Sequence, residues 1–417
     1  MKKLLLAAMV TLLFSCSNDD SPVTTTPEEN NPENPQPENP EEQCIYSPDI
    51  RLKTQADVDA FATHNYCGVK GSMVIGDFET SQDPITDLTK LSSLKNISGY
   101  LQIQSAYHLK NLRGLENLES IGTLAINNNS ALETIEHLTS LKVVSPYGSE
   151  GSFLQIASNS KLSSLKGLDK IKNIQTLSIS GNHKLTSLQG LEGLEKAYEI
   201  IVDVNSNLTT SQGLNNLKNV DRLSFSENQS LASLQSISNI EIMSFFNCNE
   251  NGELTSMPVM SKLKAIDELY IYRCTKLISL NGFEALKTAK RIGLYENSQL
   301  ESLNGLEGLT TLSALTIQYS DNLTSLSALQ NITSITEYAD GTSDGYQGII
   351  ISNTAITSLT GLQNITSFKG KFALTYNNNL ADYCAIKNII SQSSSSEISN
   401  NTYNPTKEDI IAGNCSQ

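Results

Sequence analysis

Residues 165–187 read LKGLDKIKNIQTLSISGNHKLTS, and this unit recurs along most of the chain. With Leu165 counted as position 0, apolar residues fall at positions 3, 6, 9, 12, 14 and 20, as Leu168, Ile171, Ile174, Leu177, Ile179 and Leu185. Asn182 stands at position 17. The anchor returns as Leu188, Ser211, Leu234, Met257, Leu280, Leu303 and Leu326, each 23 residues after the last. A fixed period of this length is the mark of a solenoid. One coil cannot bury its apolar edge alone, so neighbouring coils stack and share a continuous core. The pattern predicts a mainly β fold of about thirteen coils with short helical caps at both ends, and nothing in it is catalytic.

Positions 12 to 15 alternate apolar and polar, as a strand with one buried face does. Positions 12 and 14 are predicted to point inward, and 13 and 15 outward. The Asn row at position 17 comprises Asn129, Asn159, Asn182, Asn205, Asn228, Asn251, Asn297, Asn353 and Asn377, with one residue of slip in the last coil. An asparagine there can turn the chain and satisfy backbone groups left open at the bend, which is a structural role.

These phrases carry a resemblance. Ser187–Leu194 (SLQGLEGL) and Leu177–Leu185 (LSISGNHKL) are similar to leucine-rich repeats, and more closely to the receptor L-domain type. The resemblance runs from about Gln55 to the C-terminus and extends to bacterial surface lipoproteins that end in Asn-Pro-Thr and a closing Cys. It implies a right-handed solenoid used for binding. It names no ligand and transfers no site residue.

The repeat is irregular at its ends and at two steps. Thr54-Gln55-Ala56-Asp57 reads as a capped helix start, Met73–Ile75 as the first strand, and Ile85 and Leu88 as the entry to the ladder. Residues 44–87 form the N-terminal cap and first coil, 88–382 the repeats and 383–417 the C-terminal cap, where Asn404-Pro405-Thr406 leads into a helix ending near Gly413. Ile135 to Leu165 is a step of 30 residues, with SPYGSEG (145–151) as the excess. Leu326 to Leu359 is a step of 33, with the excess in TEYADGTSDGYQG (336–348). Both insertions are predicted to enter just before the strand.

The first sixteen residues, MKKLLLAAMVTLLFSC, hold two lysines and then an apolar run too short for a permanent span. Leu-Phe-Ser-Cys at its end resembles a bacterial lipobox, which implies acylation of Cys16 and an outer-membrane lipoprotein. Ser17-Asn18-Asp19-Asp20 resembles the signal for export to the cell surface. Residues 17–43 carry eight acidic residues, no Lys or Arg, and six of the eleven prolines. Such a segment has too little apolar surface to fold and reads as a disordered tether. The net charge of −15 is concentrated there, and no basic stripe for nucleic acid is visible.

Of the remaining cysteines, Cys44 and Cys67 flank the N-terminal cap helix, and Cys384 and Cys415 flank the C-terminal one. Each pair is predicted to form a disulfide that pins a cap, worth ~3 kcal/mol in the chain-entropy model. Cys248 at position 14 and Cys274 at position 17 of the next coil read as buried thiols, too far apart along the coil to bridge.

The outward sheet face is mostly small and polar, as at Ser178, Ser180, Ser224 and Ser226. It changes at Tyr270, Tyr272 and Arg273, followed by Tyr295 and Tyr319. Tyr272 and Tyr295 share position 15 and are predicted to be neighbours ~4.8 Å apart. Clustered Tyr and Arg are what binding hot spots are made of, although Tyr also favours exposed sheet positions for its own sake. The rival site is the pair of insertions, with Tyr147, Tyr338 and Tyr346. Asp340 and Asp344 lack the ligand spacing of a calcium loop and read as a solvated turn. His64, His108, His137 and His183 fall at unrelated positions, so no metal or cofactor is implied.

Three functions compete. The first is a non-enzymatic, surface-anchored protein that binds a protein or glycan on its sheet face and meets the membrane only through its N-terminal lipid. The second is a structural spacer or envelope-assembly component. The third, a polysaccharide-degrading enzyme, would need a charged groove and paired outward carboxylates, which the strand positions lack.

Overall fold

A computed structural model describes residues 44–76, 82–144, 152–335 and 348–417. All belong to the second of two units, Met1–Gln43 and Cys44–Gln417. This unit is a parallel β-solenoid of about 14 turns, with few helices. The strands Asn173–Ser180, Lys196–Asp203, Asn219–Ser226, Ala265–Tyr272 and Thr288–Tyr295 are each eight residues long. Their register follows the period: Leu177 pairs with Ile200, Ile200 with Leu223, Leu223 with Phe246, Phe246 with Leu269, and Leu269 with Ile292. Every one of these position-12 residues is buried in a single continuous core.

The stack extends into residues that the spacing assigned to the caps, which accounts for the turn beyond thirteen. Ile50–Leu52 pairs with Met73–Ile75, so Met73–Ile75 is not the first strand. Ser395–Ser399 pairs with Lys371–Thr375 at the far end. The N-terminal cap keeps the ladder's own register, for Ile45 pairs with Gly68 and the Cys44–Cys67 disulfide spans a separation of 23. Thr54 and Asp57 form a capping box that opens the helix Gln55–Ala62. Thr406 and Asp409 do the same for Lys407–Ala412, which Gly413 closes with a left-handed φ of 95°. A second disulfide joins Cys384 to Cys415.

Three features of the coil are absent from the sequence reading. First, the strand ladder skips position 10: Ala197 pairs with Ile174 and Glu199 with Thr176, leaving Tyr198 and Gln175 between them unpaired. Both insertions leave the solenoid at this gap. The chain departs after Val144, with strand pairing resuming at Phe153, and departs again after Ile335, resuming at Gly348. They therefore enter within the strand rather than before it, at a position outside the regular strand pairing.

Second, position 16 is left-handed in coil after coil: Ser158, Gly181, Val204, Glu227, Glu250, Arg273, Glu296 and Tyr319 all have φ between 51° and 64°. That turn aims each N–H along the stack at the position-15 carbonyl of the next coil, as in Val204 to Ser226 (3.0 Å) and Glu227 to Asn249 (2.8 Å). Third, position 2 is a glycine where coils approach most closely. A Cβ on Gly213 would lie 1.9 Å from the Leu188 carbonyl oxygen. This is the physical content of the SLxGLxxL phrase.

The Asn row is a buried amide ladder. Asn205 Nδ2 donates to Ile179 O (3.0 Å), while its Oδ1 accepts from Asn182 N (2.9 Å). The same pattern runs unbroken from Asn129 through Asn159, Asn182, Asn205 and Asn228 to Asn251. Asn353 is not a member. The insertion displaces the count by one, so Asn353 takes the left-handed position and Thr354 occupies the ladder, donating Oγ1 to Asn377 Oδ1 at 2.8 Å. Asn401 extends the row into the C-terminal cap.

At Cys274 the ladder also changes hands. Its N–H still donates to Asn297 Oδ1 (3.0 Å), but it has no oxygen to offer Asn251. Cys248 and Cys274 are buried free thiols. Their sulfurs lie 3.5 Å apart, much closer than coil geometry alone suggested. The contact with the Cys274 sulfur, and then burial, push the Cys248 thiol well above its usual range, so it resists forming thiolate.

Candidate binding face

The outward face carries positions 11, 13 and 15, edged by the left-handed row at 16. Position 11 escaped the sequence reading, although it alternates with 12 as 13 does. It holds Glu199, Arg222, Phe245, Glu268 and Arg291 on successive coils. Arg222 Nε lies 3.4 Å from Glu199 Oε1, and its guanidinium sits 4.0 Å above the Phe245 ring. Cation–π contact of this kind restrains the aromatic ring. Phe245 in turn packs against Tyr270, with ring centroids 5.9 Å apart.

Tyr270 lies over the next coil, where position 13 is Gly293. A Cβ there would come within 2.6 Å of both Tyr270 Cδ1 and Tyr295 Cε2, so the glycine is what lets these rings lie down. Arg291 donates to the Tyr270 hydroxyl at 3.3 Å. Tyr272 and Tyr295 are in-register neighbours, with their rings edge to face at 6.5 Å rather than stacked flat. Tyr272 Oη donates to Glu296 Oε1 (3.0 Å).

Arg273 is not a free hot-spot guanidinium. It bridges Glu250 (3.2 Å) and Glu296 (2.7 Å) and lies 4.7 Å from the centroid of the Tyr272 ring. Tyr319 stands in the same turn row as Arg273 and Glu296 and is 55% exposed. The structure thus brings Tyr270, Tyr272, Arg273 and Tyr295 together and leaves Tyr319 open at the edge. Tyr147, Tyr338, Tyr346, Asp340, Asp344 and Cys16 lie outside the described residues.

Burial pushes the Tyr270 hydroxyl up despite Arg291. Burial and then the bond to Glu296 do the same for Tyr272. Both stay protonated donors at neutral pH, suited to recognition rather than base chemistry. Burial also raises the Asp203 carboxyl, against the opposing hydrogen bond from Ser180. Among the described residues, no group of His, Cys, Asp or Glu is arranged to hold a metal ion. No helix there is long and apolar enough to cross a membrane. A cleft of about 750 Å³ is lined by Lys142, Ser152, Asp169, Lys170 and Lys172, none of them in the Tyr270, Tyr272 and Tyr295 cluster.

Comparison with known proteins agrees with this geometry. The BspA type leucine rich repeat region matches residues 151–278 and 229–346, and the receptor L domain matches 67–123. Over these residues the chain is similar to leucine-rich-repeat proteins. No curated protein matches it. Among solved structures, the crystal structure of a TLR13-ssRNA13 complex is 14% identical, with 81% of this chain and 76% of that one covered. The TM-score is 0.18. A leucine-rich-repeat solenoid is compatible with a protein-binding role.

Proposed function

We propose that the protein is a non-enzymatic, surface-anchored binding or adhesion protein that takes a protein or glycan ligand on the sheet face around Tyr270, Tyr272 and Tyr295. The supporting observation is the aromatic cluster itself. Its rings are fixed by Gly293, Arg291, Arg273 and Glu296 before any ligand arrives, so little side-chain freedom is lost on binding. The small polar residues on the neighbouring coils offer no comparable anchor. Anchoring is through lipid on Cys16, and the resemblance of Ser17-Asn18-Asp19-Asp20 to a surface-export signal supports display on the outer face of the outer membrane.

The test is binding of the full chain to an array of glycans and extracellular-matrix proteins, beside a Tyr272→Ala/Tyr295→Ala variant. A hit weakened at least about tenfold in the variant supports the tyrosine face. A hit unchanged in the variant moves the site to the insertions. No hit favours the spacer. For the anchor, incorporation of a fatty-acid analogue is expected in the native chain and absent in Cys16→Ser.

A further inference from the structure

The orphan polar atoms of this face point to a particular ligand chemistry. Seven buried side-chain atoms lack a hydrogen-bond partner among the described residues. Those that can only accept are the amide or carboxylate oxygens Asn127 Oδ1, Asp203 Oδ1 and Asn249 Oδ1. All three stand at position 15, the outward row that also carries Tyr272 and Tyr295. Asn249 is 6% exposed and sits in register between Ser226 and Tyr272. Asp203 and Asn249 lie two coils apart, and Asn127 three coils before Asp203; a buried oxygen without a donor is costly, so the two within the strip favour a donor-rich partner.

Charge on the same strip has the matching sign. Rows 15 and 16 between Asp203 and Tyr319 hold Asp203, Glu227, Glu250 and Glu296 against a single cation, Arg273, which is already spent on two of them. The exposed Tyr319 ring and the edge-to-face tyrosine pair complete a strip that is acidic, aromatic and short of donors. Ammonium and guanidinium groups supply several donors and no acceptor, carry positive charge, and favour aromatic faces. A neutral sugar hydroxyl would fill the acceptors but gain nothing from the carboxylates.

We infer that the strip from Asp203 to Tyr319 docks a Lys- or Arg-bearing segment of a partner protein. The inference rests on the proposed binding role of this face and narrows its ligand. At ~4.8 Å per coil, the four coil steps from Asp203 to Tyr295 span ~19 Å, room for a short extended segment.

The probes are a labelled peptide of alternating Lys, Arg and Ser, its counterpart with Glu for the basic residues, and a neutral oligosaccharide, each titrated against the full chain. The basic peptide is expected to bind, and to weaken as salt rises from about 0.05 to about 0.3 M. Asp203→Asn/Glu227→Gln is expected to weaken it about tenfold without disturbing the Arg273 bridge. Asn249→Leu, which deletes the orphan oxygen at similar volume, is expected to weaken it while leaving the fold intact by circular dichroism. Equal binding of the acidic peptide overturns the inference. So does an affinity indifferent to both variants, or no binding of the basic peptide. Oligosaccharide binding lost only in Tyr272→Ala/Tyr295→Ala would overturn the basic-segment assignment while keeping the face as a binding site.

Discussion

The coils from Asn129 to Asn251 and those from Cys274 to Thr354 share one period but differ on both sides of the sheet. In the first group the amide ladder is continuous, and the outer face is mostly small, as at Ser178, Ser180, Ser224 and Ser226. In the second the ladder position passes through Cys274, Asn297, Ser320 and Thr354, and the outer face carries Tyr270, Tyr272, Tyr295 and Tyr319. The inner tie can lapse because each coil is also held by its strand register and its apolar core. Specialisation of the surface thus coincides with relaxation of the scaffold behind it.

That contrast can be broken most sharply at Asn205. Asn205→Ala would leave Ile179 O and Asn182 N without their buried partners, and a loss of about 3 kcal/mol is expected in chemical denaturation. The companion is Ser320→Ala in the irregular coils. Ser320 Oγ is buried and has no partner among the described residues, so its removal should be neutral or slightly stabilising. Equal losses at the two sites would show that the ladder is not the source of the difference.

Gly293→Ala tests the outer face of the second group. The new Cβ must push the Tyr270 and Tyr295 rings aside, costing about 1–2 kcal/mol and altering the tyrosine near-UV circular dichroism. An unchanged spectrum would mean that the rings do not need the glycine. Cys274→Asn should move the irregular coils toward the regular ones. It gives Asn251 N–H an acceptor again and is expected to add about 1 kcal/mol. A net loss would show that the site is packed for sulfur.

The smallest effect is expected at Asp203. Its carboxyl pKa is raised on folding, so the folded state holds its proton more tightly than the unfolded chain does. Stability from this group is therefore greatest in acid and is lost as pH rises through the folded pKa. Asp203→Asn should raise the melting temperature slightly at pH ~7, with the gain vanishing below pH ~4, near the unfolded carboxyl value. A gain independent of pH would point to a cause other than the charge.

The stacked core was legible because apolar residues recur at fixed positions, and burial depends on little else. The left-handed row was not. Val204, Glu227, Arg273 and Tyr319 are residues that rarely adopt φ near 55°, and only Gly181, Asn128, Asn353 and Asn400 in the same row carry a compositional hint. The gap at position 10 was hidden for a related reason: Gln175, Tyr198, Asp221 and Ser244 share no chemistry that would mark the position. Spacing alone put Tyr272 beside Tyr295. It could not show that Arg273 is held by Glu250 and Glu296, because that depends on side chains reaching across coils. Phe245 and Arg222 were missed because the outward set was begun at position 13 instead of 11.

The Cys44–Cys67 bond also decides how the solenoid carries tension. A pull arriving along the chain from residue 43 reaches Cys44 and crosses the disulfide to Cys67, so residues 45–66 bear none of it. The first coil cannot be peeled off its neighbour from that end. Force enters instead at Cys67, whose following residues Gly68 and Val69 are already laddered to Asn96 and Ile97. Reduction of this one bond would let residues 45–66 be drawn out before the pairing of Gly68 and Val69 with the next coil is loaded.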